Sequence, residues 1–164
     1  MPVFFLSIYF MIQTIGIIGG GQLGRMMCMA AKSMGYEVVV LDPASDCPCG
    51  QVSDKIIVAD YSNTDACKLL FDQCDVITYE FENVPLNSAI LLEEKLPQTS
   101  KLLQITQDRI LEKEAIRANG LKTANYISIQ NATDMDTFVT SFLLSPYKIF
   151  MKTAQGGYDG KGQY

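Results

Sequence analysis

Apolar and polar positions along the chain fall into short blocks of two alternating periods. Thr14 to Ile18 is a brief apolar run bounded by glycine, the pattern of a buried parallel strand. Behind three consecutive glycines, Leu23, Met26, Met27, Ala30 and Met34 recur at helical spacing, and Gly35 stands where a helix C-cap belongs. "EVVVLDP" reads as a second strand stopped by Asp42 and Pro43, which completes a βαβ unit whose right-handed crossover lays the helix on a sheet face. The alternation continues with "DKIIVAD" as a strand, "SNTDACKLLFDQ" as a helix opened by Ser62 with Asp65 three residues on, and "DVITYE" as a strand. Strands alternating with helices predict an α/β fold with a parallel, Rossmann-like sheet.

"VPLNSAILLEEKL" follows as a helix with Pro85 in its first turn, so "ENVP" lies at the carboxyl end of a strand, where open α/β sheets bind ligands. "LPQTS" reads as a connection, and the first domain is expected to span 11–104. In the remainder, 105–164, Thr106 is placed to cap a helix "QDRILEKEAIRAN" that ends at Gly120. "TANYISI" reads as a strand, "TDMDTFVTSFLL" as a helix and "YKIFMKTA" as a strand leading into the glycine-rich "QGGYDGKGQY". These elements predict the beginning of a second domain.

Composition narrows the chemistry. Thirteen Lys and Arg against eighteen Asp and Glu give a net charge of -5, with no basic run, so nucleic acid is a poor partner. Histidine is absent, which leaves carboxylates, Lys, Arg, Tyr, Cys and backbone groups for any chemistry. The five cysteines (Cys28, Cys47, Cys49, Cys67, Cys74) are odd in number and form no CxxC pair, so reduced thiols in a cytoplasmic protein are expected. "MPVFFLSIYF" is apolar but lacks the basic start and cleavage site of a signal peptide, and is shorter than a membrane span. Residues 1–10 are expected to be an upstream extension, with Met11 as a natural opening for the first strand.

Three stretches carry candidate chemistry. In "GGGQLG", Gly19, Gly21 and Gly24 satisfy GxGxxG between a strand and a helix, and Asp42 falls about twenty residues on, where a dinucleotide fold puts its ribose-binding acid. A dinucleotide site, another phosphate-bearing ligand and a structural turn all remain open, with Gln22 and Arg25 offering polar groups at the helix start. In "YEFENVP", Glu80 and Glu82 point to one strand face, as a ligand-facing acid couple or a solvated terminus. "KTAQGGYDGKGQ" does not fit a Walker A loop, because Gln155 replaces the first glycine and Gly162 the Ser or Thr. It reads either as a flexible lid whose NH groups wrap polyphosphate or as a glycine-rich hairpin.

Taken together, "GIIGGGQLGRM", "YEFENVP", "QDRILEK" and "MKTAQGGYDGKGQ" resemble, in order and spacing, the N-terminal part of the N5-carboxyaminoimidazole ribonucleotide synthetases. These are ATP-grasp ligases, also described as the ATPase subunit of phosphoribosylaminoimidazole carboxylase, a lyase in the older naming. The resemblance implies a Rossmann-like pre-ATP-grasp domain followed by the start of an ATP-grasp domain. It implies carboxylation of 5-aminoimidazole ribonucleotide by bicarbonate through carboxyphosphate, with ATP and Mg2+, in a cytoplasmic homodimer of purine biosynthesis. By motif, Arg109, Lys152, Gly156, Gly157, Tyr158, Asp159, Gly160, Lys161 and Gly162 would meet ATP. Gln22, Leu23, Glu80, Tyr158 and Asp159 would meet the ribonucleotide, and Lys152, Tyr158 and Asp159 would serve the reaction itself. The resemblance covers 11–164, less than half of a usual member. The metal-binding acids are therefore expected further along a full-length member, and the chain alone is expected to be inactive. An NAD(P)-dependent oxidoreductase is the rival reading; it uses Gly19, Gly21, Gly24 and Asp42 but leaves "QGGYDGKG" without a role.

Overall fold

The structure, a computed structural model, describes residues 12–142 and 149–157. The chain divides into two compact units between Leu103 and Gln104. The expectation for residues 1–10 lies outside the described residues.

In the first unit, β1 (Thr14–Ile18), β2 (Glu37–Asp42), β3 (Lys55–Val58) and β4 (Val76–Tyr79) form a parallel sheet in the order β3-β2-β1-β4. Successive strand residues point to opposite faces, and both faces are covered, which is why β2 reads as a continuous apolar run. Val38 and Val40 join Ile17 beneath α1 (Gln22–Ser33), with Cys28, Ala31 and Cys49 completing that cluster. Val39 and Leu41 join Ile18 and Ile77 on the other face, against Leu70 of α2 (Thr64–Gln73) and Ala89 of α3 (Leu86–Leu91). Each fully buried Ile or Leu removes enough apolar surface from water to contribute roughly 1.5–3 kcal/mol.

The helix ends follow the sequence with small shifts. Gly35, at φ 89°, closes α1: its NH reaches the Lys32 carbonyl and the Tyr36 NH reaches that of Ala31, the paired bonds of a glycine-terminated helix. Asn63 caps α2 rather than Ser62, accepting from the Ala66 NH, while Ser62 donates to Asp60 instead. Pro85 precedes α3, and a short 3-10 turn covers Glu93–Lys95. The connection expected around Leu96 to Ser100 instead runs into α4 (Thr99–Thr106), so Thr106 ends a helix, and the N-cap of the next is Asp108.

Of the leucine and methionine stripe that reveals α1 in the sequence, Met27 packs against the core, but the rest is not the face the helix buries. Leu23, Met26 and Met34 are 60%, 65% and 67% exposed, whereas Gly24, Cys28 and Ala31 are buried. Small residues win that face because the helix start lies against backbone: a Cβ on Gly24 would sit 2.4 Å from the Gly19 carbonyl oxygen.

In the second unit, Asp108 caps α5 (Arg109–Ala118), and α6 (Ala132–Phe142) follows. Asn119 and Gly120, the latter at φ 80°, end α5 as the sequence predicts. "TANYISI" forms no strand, and 149–151 of "YKIFMKTA" are likewise outside any strand; 143–148 are not described. A strand exists only through its ladder partner, and residues 123–126 are held by side chains of α5. Arg117 donates to the Thr123 hydroxyl at 2.7 Å and the Ala124 carbonyl at 3.3 Å, and its guanidinium lies 4.6 Å from the Tyr126 ring centre. Among the described residues, no helix is long and apolar enough to cross a membrane.

Candidate functional site

The glycine turn lies between β1 and α1, beside β4, where the strand order reverses; open α/β sheets bind their ligands at this switch point. Gly19 adopts φ 102°, and a Cβ there would fall 2.4 Å from Glu80 Cγ, so only glycine fits. Glu80 extends the β1–β4 pairing through its NH to the Ile18 carbonyl at 3.1 Å, which brings its side chain across the turn.

Two carboxylates occupy the turn's NH groups. Glu80 Oε1 accepts from the Gly21 NH at 2.9 Å, and Oε2 from the Gly24 NH at 2.5 Å. That satisfies two of the NH groups a helix start leaves without intrahelical partners, and sets a negative charge at the positive end of the helix dipole. Buried Asp42 accepts from the Gly20 NH at 2.6 Å, the Ala44 NH at 2.8 Å and the Tyr61 hydroxyl at 2.6 Å. Burial and this bond to Asp42 push the Tyr61 hydroxyl well above the usual tyrosine range, so it remains a donor.

This arrangement disfavours the dinucleotide alternative. Asp42, where a ribose-binding acid would stand, is a buried strut of the fold. Gln22 and Leu23, the first residues of α1, are exposed beside the Glu80 clamp. Arg25 turns away to Gln51, at 2.7 Å, and to the Pro48 carbonyl. Glu82 is exposed while Glu80 is half-buried. The Glu80 clamp joins residues 56 and 59 apart, and no local signal in the sequence marks it.

In the second unit, the "QDR" stretch meets the glycine loop. Asp108 accepts from the NH groups of Ile110 and Leu111 at 2.8 and 3.2 Å, and from the Gln155 amide at 3.0 Å. Burial alone would raise the Asp108 carboxyl, but these donors hold it below the ordinary aspartate value. The Arg109 NH donates to the Ala154 carbonyl at 2.9 Å, and its guanidinium donates to the Gly157 carbonyl. Beside this contact lies a cavity of about 910 Å³, lined by Arg109, Lys113, Tyr126, Phe138, Phe150 and Lys152 among others. Its size is that of a small-molecule site. Largely apolar walls with Arg109, Lys113 and Lys152 among the lining suit a planar base and an attached anion. Of the remaining loop residues, Gly156 and Gly157 are described, with Gly156 at φ 72°, while Tyr158, Asp159, Gly160, Lys161 and Gly162 lie outside the described residues.

A parallel sheet in 3-2-1-4 order with a glycine turn at its switch point places the first unit in the nucleotide-binding α/β class. Residues 12–107 match the model of the ribonucleotide synthetase preATP-grasp domain, and the chain belongs to that family. It is 49% identical over 152 residues to the N5-carboxyaminoimidazole ribonucleotide synthase of Staphylococcus aureus, covering 92% of this chain and 40% of the relative. The Bacillus subtilis enzyme of the same name is 47% identical, with 92% and 39% covered. A crystal structure of N5-carboxyaminoimidazole synthetase from S. aureus complexed with ADP is similar, with a TM-score of 0.84, 48% identity, and 92% of this chain and 40% of that one covered. The chain thus spans about two fifths of the length of these relatives.

Proposed function

We propose that the chain is the amino-terminal part of an ATP-dependent carbon–nitrogen ligase that carboxylates 5-aminoimidazole ribonucleotide with bicarbonate, working in the cytoplasm as a homodimer. In the first unit Gln22, Leu23 and Glu80 are assigned to meet the ribonucleotide, with Gln22 and Leu23 exposed and Glu80 fixed by the NH groups of the glycine turn. The second unit begins the ATP-grasp domain, and its cavity takes ATP. The observation that carries this reading is the junction of Arg109 with the Ala154–Gly157 loop beside a cavity that Arg109 and Lys152 help to line. Family membership and the ADP-bound relative support it.

Phosphorylation of bicarbonate gives carboxyphosphate, whose breakdown supplies carbon dioxide to the exocyclic amine of the ribonucleotide. Charge that gathers on the transferring phosphoryl group needs fixed cations and NH donors. Lys152 and Arg109 supply the cations, and the glycine loop, held by Arg109 at its base, supplies the donors. Tyr158 and Asp159 are assigned to meet the ribonucleotide, Asp159 as an acceptor for its amine. Gly160, Lys161 and Gly162 complete the closure over the phosphates. Mg2+ is assigned to acids in the part of a full-length ligase that this chain does not span.

A chimera tests the proposal: this chain replaces the matching amino-terminal portion of the B. subtilis relative, and ADP release is measured with each substrate omitted in turn. The expected result is release that depends on both ribonucleotide and bicarbonate and falls at least about a hundredfold in Lys152→Ala, as for loss of a phosphoryl-stabilising donor. Release indifferent to both substrates, or to the loss of Lys152, contradicts it.

A further inference from the structure

We infer that Glu80 is an internal anion that closes the glycine turn to diphosphate ligands, and so determines which nucleotides the switch-point crevice rejects. The turn has the spacing of a dinucleotide fingerprint, and its chain path is that of one, from β1 through Gly19 at φ 102° into α1. What differs is its occupancy. The carboxylate of Glu80 bridges the Gly21 and Gly24 NH groups at 2.9 and 2.5 Å. Gly20, between Gly19 and Gly21, gives its NH to Asp42. Three NH groups of the turn, at Gly20, Gly21 and Gly24, are thereby given to protein carboxylates.

The fit leaves no slack. A Cβ on Gly21 would lie 2.6 Å from Glu80 Oε1, and one on Gly24 would lie 3.2 Å from Oε2. A pyrophosphate brought to this helix start would meet a fixed negative charge and find two of its donors taken. The same bonds make Glu80 a brace: it ties the end of β4 to the first turn of α1, and so sets where Gln22 and Leu23 stand. The inference needs only the hydrogen bonds of the turn and goes beyond the ligase reading.

The test uses the 164-residue chain and its Glu80→Ala and Glu80→Gln variants. Calorimetric titration with inorganic pyrophosphate is expected to give no saturable binding to the wild type and at least about tenfold tighter binding to Glu80→Ala, the scale of removing one charge at a helix start. Sodium acetate, compared with sodium chloride at equal ionic strength, is expected to restore part of the melting temperature lost in Glu80→Ala and to leave the wild type unchanged. If Glu80→Ala does not fold, the near-isosteric Glu80→Gln serves: with one acceptor in place of two, it is expected to speed amide exchange at Gly21 or Gly24 and to raise pyrophosphate affinity. A folded variant with wild-type pyrophosphate affinity and no response to acetate or in exchange overturns the inference. Neither ATP nor ribonucleotide enters these measurements, so failure of the ligase reading would show separately in the chimera.

Discussion

Around the glycine turn, burial has made the thiols of Cys28, Cys47 and Cys49 poor acids; Cys49, packed beside Cys28, is pushed up to about 12. On the opposite sheet face burial pushes Cys74 up to about 11. In an unfolded chain such thiols titrate near about 8.5. The folded state therefore keeps protons that the unfolded state loses. This contribution to stability is intact below pH about 8.5 and declines as pH rises toward the folded values. Urea midpoints measured upward from neutral pH should fall across that window, and a thiol reagent at neutral pH should label the native chain slowly and the unfolded chain at all five cysteines. Equal labelling of both states contradicts this. Single residues were legible where their role is local: Gly19 announces a turn and Gly35 a helix end. Asp42 was legible as a special acid but not in its role, because its partner Tyr61 lies nineteen positions on. Glu80 is expected to meet the ribonucleotide, and the structure adds partners of which the sequence carries no sign, the NH groups of Gly21 and Gly24.

At the scale of elements, periodicity found α1 but not its buried side. A helix packed flat on a sheet ordinarily buries its large side chains, whereas this one approaches closely at Gly24, and its buried residues are Gly24, Cys28 and Ala31, with Met27 at their edge. Two substitutions separate the faces. Cys28→Leu, which adds volume to a closed cluster with Ile17, Val38 and Val40, should cost about 1–3 kcal/mol. Met26→Gln, on the exposed stripe, should stay within about 0.5 kcal/mol of the wild type. Denaturant midpoints check both, and the reverse order would mean that α1 is turned the other way. The helix α4 escaped the sequence because "LPQTS" carries turn residues and Thr99 enters the helix at φ 65°, a rare conformation for a β-branched side chain. "TANYISI" misled for the opposite reason: it has strand composition, but side-chain bonds from α5 fix it without a ladder.

For the molecule as a whole, the two units divide the labour assigned to them. The first has a complete parallel sheet covered on both faces, with a glycine turn whose charges are already balanced by Asp42 and Glu80. The second has the cavity, with Arg109 joined to the glycine loop. On the proposed reading the fingerprint in the first unit marks a fold rather than a dinucleotide site, and ATP binding is assigned to the second. Calorimetric titration of the chain with ATP and, separately, with NADH tests this division most directly. The account predicts weak but saturable ATP binding, with Kd in roughly the millimolar range, abolished by Lys152→Ala, and no saturable heat with NADH. Saturable NADH binding, or ATP binding unchanged by Lys152→Ala, would contradict it.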